Sequence, residues 1–234
     1  MEYHGFRRVD FELNGHEGTV IFPHTVKRGN PWIWRAEFLG AFDNADVELL
    51  RRGWHLAYYK ISDMYGCPQA VEKMRGFYQH VRASYGLAEQ TILFGFSRGG
   101  LYTLAFAGKY PHLMQAVYLD APALDVFRWP LCPAWAGRGE AADCRRRYGL
   151  AEGATESPDN PVNQLPVLIE HRIPAALICG LADEAVPYEL NGKLLADAYE
   201  STDIPFFKRL KPHCGHHPHG LDDPTELADW IDGL

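Results

Sequence analysis

The segment Thr91–Gly100, TILFGFSRGG, restricts the fold of this chain more than any other. An apolar run without alternation fits a parallel strand covered on both faces. It leads directly into Gly-Phe-Ser-Arg-Gly, and then into an amphipathic stretch, Arg98 to Tyr110, with Leu101, Leu104, Ala105 and Phe106 facing inward. The order is strand, sharp turn, helix. In that context G-x-S-x-G strains the serine backbone and lifts its hydroxyl above the sheet edge. Gly95 and Gly99 leave room where a side chain would meet the neighbouring strand or helix. The N–H of Arg98 lies at a helix N-terminus, where a developing negative charge can bind. The chain has 22 glycines and few serines, so a chance match would occur roughly 0.04 times per sequence of this composition.

The rest of the chain alternates short apolar runs with longer helical patterns, the signature of a parallel sheet. Phe6–Leu13 and Gly18–Pro23 predict strands joined at Asn14-Gly15, a strong hairpin signal. A helix is expected over Ala36–Arg52, a strand over His55–Ile61, and a proline-opened helix over Pro68–Tyr85. Ala116–Leu119 and Ala175–Cys179 read as further buried strands. Between them, Ala121–Ile173 is rich in Pro, Gly, Trp and Arg with no strand pattern, and predicts a cap inserted over the strand ends. A helix (Leu190–Tyr199), a strand (Pro205–Leu210), a His-rich loop and a helix (Pro224–Ile231) complete one domain over residues 1–234. With 234 residues, one α/β domain is the expected size.

Composition removes several classes. Net charge is −7 with 23 basic and 30 acidic residues, which argues against phosphate-backbone binding. No apolar run approaches a membrane span, and MEYHGFRRVDFEL has no apolar signal core. Five irregularly spaced cysteines without C-x-x-C fit reduced thiols and a cytoplasmic location. Neither G-x-G-x-x-G nor G-x-x-x-x-G-K-[ST] occurs, so no nucleotide cofactor is expected. His213, His216, His217 and His219 match no standard zinc spacing and H-E-x-x-H is absent, so no metal is expected.

A serine hydroxyl needs a general base, itself oriented by a carboxylate. Gly180–Pro187, GLADEAVP, places Asp183 just past a predicted strand, and His213–His219, HCGHHPH, follows the last one. Serine, acid and histidine thus occur in the order this turn calls for, each at a carboxyl strand end, where open α/β sheets place their sites. Asp120 also ends a strand and is a rival acid; His217 and its neighbours are rival bases.

The segments G-F-S-R-G-G, G-x-x-D-x-x-V-P and G-H-x-P-H, together with the pattern from Gly18 to the end, make this sequence similar to α/β-hydrolases. It resembles in particular the compact serine esterases and prolyl-oligopeptidase-like hydrolases. The resemblance implies a three-layer α/β/α sandwich with a mostly parallel sheet, Ser97 as nucleophile, Asp183 as acid and His216 as base, with no cofactor. It places one oxyanion N–H on Arg98 and the other, by analogy, on His24 or Thr25 after the second strand. Only two antiparallel strands are visible at the start, so the sheet is expected to be shortened there. Trp34, Arg35 and Glu37 are candidates for the pocket border, with helix-entry packing as the alternative. Tyr65 could reach the site from the side, and Trp129 and Trp135 could form a lid. The implied substrate is a small-molecule ester of a small acyl group, an O-acetylated carbohydrate among the options; amide or peptide cleavage is the alternative.

Overall fold

The computed structural model describes residues 1–135 and 137–234. Nine strands form one sheet: β1 (Glu2–Tyr3), β2 (Phe6–Leu13), β3 (His16–Phe22), β4 (Trp32–Arg35), β5 (His55–Tyr59), β6 (Thr91–Phe96), β7 (Met114–Asp120), β8 (Ala175–Gly180) and β9 (Phe206–Lys211). Their spatial order is β1-β2-β3-β5-β4-β6-β7-β8-β9. The first three strands pair antiparallel, β3 pairs antiparallel with β5, and every pair from β5 to β9 is parallel. The antiparallel edge thus gains a third, two-residue strand, β1, beyond the two that the sequence shows. Asn14 and Gly15 both have positive φ (51° and 76°), as the hairpin signal requires.

The central parallel strands β6 and β8 are buried along their whole length, as expected where each face meets a helical layer. On one face Trp32, Trp34, Leu93, Val117, Leu119 and Leu177 join a core with α2 (Pro68–Tyr85), α3 (Gly99–Lys109), α5 (Leu165–Glu170) and α6 (Gly192–Glu200). On the other, Ile33, Leu56, Ile92, Phe94, Tyr118 and Ile178 meet α1 (Asn44–Arg51) and α7 (Thr225–Asp232). Trp32 and Trp34 point one way and Ile33 the other, the period-two alternation of a strand. The result is the three-layer α/β/α sandwich.

Two predicted elements change. The apolar pattern over 36–52 is not one helix. Residues 36–43 form a loop in which Phe38, Gly40 and Phe42 all have positive φ (58°, 85° and 51°), and α1 starts only at Asn44. The strand β4 just before it comes from residues that the sequence reads as loop. Within 121–173 the described residues contain no strand, but α5 packs against α3 and α6. The part standing over the strand ends is therefore shorter, and includes α4 (Gly139–Arg147). It is held down by a third apolar cluster, in which Val126, Trp129 and Cys144 pack on Tyr65, Leu101 and Val186. No helix among the described residues is long and apolar enough to cross a membrane.

Candidate active site

From β4 the chain builds outward in both directions. It runs through α1 to β5 on one side, then returns across β4 to β6 on the other. The strand order thus reverses between the adjacent strands β4 and β6. In open α/β sheets the crevice beyond the carboxyl ends at such a point is where ligands bind. Ser97 follows β6 and Glu37 follows β4, so both rim that crevice.

Ser97 occupies the turn with φ 51°. Its N–H donates to Asp120 O (2.9 Å), and its carbonyl accepts from Gly100 N (3.0 Å) and Ala123 N (2.9 Å). These bonds hold a conformation that L-residues rarely adopt. A Cβ on Gly95 would run into Thr103 Oγ1 and the Gly99 carbonyl, so the strand can approach α3 only with glycine there. At Gly99 the space is less critical for packing, contrary to the sequence reading. A Cβ there would meet Glu37 and Ala36 at 3.5 to 3.8 Å, ordinary contact distances.

The fold brings Ser97, His216 and Asp183 together. Ser97 Oγ lies 2.9 Å from His216 Nε2, and His216 Nδ1 lies 2.7 Å from Asp183 Oδ2. The remaining carboxylate oxygen, Asp183 Oδ1, accepts N–H bonds from Ala185 (2.9 Å) and Val186 (2.8 Å). Those two bonds fix the buried carboxylate behind the imidazole, which fixes the ring tautomer that leaves Nε2 facing the hydroxyl. Asp120, the rival acid, is engaged elsewhere. Its Oδ1 lies 2.7 Å from His219 Nδ1, and its Oδ2 accepts from Tyr118 OH (2.7 Å) and Gly220 N (2.8 Å). It anchors the loop from His213 to Gly220 beneath the site. His217 is exposed and stacks on Phe42 (ring centroids 5.1 Å apart). Burial first, then the neighbouring His219 and His216, hold its imidazole below the usual histidine range. His213 is exposed.

Arg98 remains beside the crevice, but His24 does not. Strand β3 runs antiparallel to β5, with Ile21 opposite Leu56. Its carboxyl end, and His24 after it, therefore lie at the amino-terminal edge of the parallel strands, across the sheet from Ser97. His24 is exposed there and stacks on Phe6 (4.6 Å between ring centroids). The N–H group that takes its place by position is that of Glu37, directly after β4. Ala36 N donates to Phe94 O (3.0 Å). Glu37 N and Arg98 N donate no hydrogen bond among the described residues. His24→Ala should accordingly leave kcat and KM for ester substrates at the parent values, within about twofold; a loss above tenfold would put the crevice at the wrong edge.

The side chains of Glu37 and Arg98 also meet. Arg98 Nη2 lies 3.5 Å from Glu37 Oε2, which accepts from Ser62 Oγ (3.0 Å), and Arg98 Nη1 donates to Asp63 Oδ1 (2.7 Å). Burial pushes the Glu37 carboxyl up, against the pull of Arg98. The two residues with open N–H groups are thereby tied to each other through one ion pair.

The other pocket candidates lie inward. Trp34 is buried, in edge contact with Phe106 (5.1 Å) and beside Phe77 (5.2 Å). Arg35 is fully buried on the opposite face, its guanidinium 3.8 Å from the Phe96 ring centroid. Arg35 Nη2 donates to Phe38 O (3.0 Å) and Ala41 O (2.6 Å), so it holds the 36–43 loop from below. Glu37 is buried as well, so the two are not a surface pair. Tyr65 and Trp129 are buried against each other (6.1 Å) and fasten the cap rather than line an open pocket. Trp135 packs edge-on to Trp129 (5.5 Å) and is partly exposed. Glu37 N is the group that residue types could not reveal, because every residue but proline carries a backbone N–H. Its signal is topological: it follows the strand at which the order reverses.

Comparison with solved structures shows the same fold at low identity. An esterase domain from a Rhodothermus marinus protein matches with TM-score 0.64 and 18% identity, over 97% of this chain and 96% of that one. A lipase candidate from Acinetobacter baumannii matches with TM-score 0.64 and 14% identity, over 98% and 90%. An acylaminoacyl peptidase from Pyrococcus horikoshii matches with TM-score 0.62 and 13% identity, over 90% of this chain but 37% of that one. A search of curated proteins gives no match. The protein is a serine hydrolase of the α/β-hydrolase type. Residues 61–232 match the prolyl oligopeptidase family, and the chain belongs to that family.

Proposed function

We propose that this hydrolase cleaves carboxylic esters of small acyl groups through an acyl-enzyme on Ser97. The observation that carries the reading is the continuous relay from Ser97 Oγ through the His216 ring to Asp183, at 2.9 and 2.7 Å, built on a positive-φ serine. Ser97 Oγ attacks the acyl carbon while His216 Nε2 takes its proton. The carbonyl oxygen becomes an oxyanion and accepts the N–H groups of Arg98 and Glu37. His216 then gives its proton to the alcohol oxygen as the C–O bond breaks. A water molecule repeats the sequence with His216 as base, forms the carboxylic acid and restores Ser97. Asp183 stays ionised throughout and stabilises the imidazolium.

Peptide or amide cleavage is the second reading, favoured by the family to which the chain belongs. The test is a series of p-nitrophenyl esters from acetyl to octanoyl beside aminoacyl p-nitroanilides. The expected result is the highest kcat/KM on acetyl to butyryl esters and a much slower reaction with the anilides. A higher kcat/KM on an anilide would replace the ester reading with the peptidase one.

The Glu37–Arg98 link gives a second expectation. Removing one oxyanion donor outright costs about 10²–10³ in kcat. Arg98→Met keeps both N–H groups but frees the loop that carries one of them. A fall in kcat of about tenfold to a hundredfold with little change in KM is expected, with Arg98→Lys recovering part of it. A change confined to KM would make Arg98 a substrate contact instead.

A further inference from the structure

The loop from His213 to Gly220 does more than deliver His216. One ring nitrogen from each of His216, His217 and His219 lies within 4.8 Å of the others, although their spacing fits no standard zinc pattern. The three rings also meet edge to face, with centroids 4.8 to 5.0 Å apart. Two of them carry the same backing. His216 Nδ1 is bound to Asp183 and His219 Nδ1 to Asp120, each at 2.7 Å. A carboxylate on Nδ1 fixes the tautomer, leaves the Nε2 lone pair outward and raises its basicity; metal-binding histidines are held in this way. The two buried carboxylates also place two negative charges behind the rings. His219 Nε2 and both ring nitrogens of His217 make no hydrogen bond among the described residues.

We propose that His216, His217 and His219 form a binding site for one borderline transition-metal ion of the Zn²⁺ class, and that an ion bound there switches the hydrolase off. Three neutral imidazoles suit Zn²⁺, Cu²⁺ or Ni²⁺ and do not suit Mg²⁺ or Ca²⁺. Tetrahedral zinc with Zn–N of about 2.0–2.1 Å brings its nitrogens closer together than 4.8 Å, so one ring must swing inward. His217 is the exposed one and can do so. His216 Nε2 has a single lone pair, which either accepts the Ser97 proton or binds the metal. Occupation of the site and proton transfer therefore exclude each other.

Metal binding stands by itself; only the inhibition rests on the esterase reading. Calorimetric titration of Ser97→Ala protein with ZnCl₂ should give one ion per chain, with no heat from MgCl₂. His217→Ala and His217→Phe should weaken that binding by at least about tenfold. With the wild-type protein, ester hydrolysis should be inhibited by ZnCl₂ and restored by EDTA, and the His217 variants should need at least about tenfold more zinc for the same fractional loss. Hydrolysis unaffected by millimolar ZnCl₂ overturns the inhibition, and zinc affinity indifferent to His217 overturns the site. Stoichiometric zinc binding sensitive to His217 in a protein that hydrolyses none of the esters would leave the site standing and sink the esterase reading.

Discussion

Ser97→Ala should lower kcat for p-nitrophenyl acetate by about 10⁴- to 10⁶-fold, because it removes the nucleophile from a unit whose members act together. Among the described residues, the only side-chain hydrogen bond lost is that to His216 Nε2. The backbone bonds from Ser97 to Asp120, Gly100 and Ala123 do not involve the hydroxyl, so the turn is retained. Alanine meets the same positive φ as serine, and the thermal midpoint should move by no more than a few degrees. The variant should also lose labelling by a fluorophosphonate, which reacts with a serine only when a base activates it. Asp183→Asn tests the other end of the relay. Its fall in kcat should approach about 10⁴-fold, since an amide on Nδ1 no longer enforces the productive tautomer. Steady-state rates with titrated active sites check both. An alanine variant that keeps more than about one hundredth of the parent rate would mean that another group carries the reaction.

What the sequence revealed and what it hid follow from the range of the forces involved. The turn at Ser97 is written in consecutive residues: an apolar run, two glycines around a serine, an amphipathic helix. Asp183 follows a strand that its own apolar run marks, and His216 follows the edge strand FFKRLK, where only the two phenylalanines and Leu210 are apolar. By contrast β4 is four residues long, follows Asn30-Pro31, and passes into apolar residues with helical spacing. Nothing local says that Phe38 and Phe42 will take positive φ; the buried guanidinium of Arg35, bonded to the carbonyls of 38 and 41, holds that loop, and this is a tertiary contact. With β4 hidden, the loop after β3 looked like the source of the second oxyanion donor. The antiparallel register of β3 on β5 sends that loop to the far edge. Likewise, four histidines in seven residues cannot say which ring meets which carboxylate. Pairing Asp183 with His216 and Asp120 with His219 is a property of the folded strand ends.

The same loop supplies the largest expected effect on stability. Arg35 and Asp46 are both fully buried, with Nε 3.5 Å from Oδ2. Asp46 has no hydrogen bond to either carboxylate oxygen among the described residues. Burial raises its carboxyl, Arg35 pulls it back, the nearby Asp43 adds a smaller push upward, and the balance leaves it pushed up to about 6. Removing one member of a buried pair strands the other, at a cost of about 3–5 kcal/mol. Arg35→Met fills much of the same volume but leaves Asp46 alone and frees the carbonyls of Phe38 and Ala41. Its unfolding free energy at neutral pH should fall by about that amount. The pH dependence has a definite sign. A carboxyl raised above its unfolded value of 3.8 binds more protons folded than unfolded between 3.8 and about 6. Its contribution to stability is therefore favourable at low pH and is lost as pH rises through 6. In Arg35→Met the opposing charge is gone, the carboxyl rises further, and more stability returns on acidification from pH 7.5 to 5. The difference between variant and parent in urea unfolding should shrink over that interval. Arg35→Met/Asp46→Leu should recover much of the loss at pH 7.5, because a buried ion pair can be replaced by apolar side chains at little net cost. A single variant as stable as the parent, or a deficit that grows on acidification, would mean that the charge on Arg35 does not offset that of Asp46.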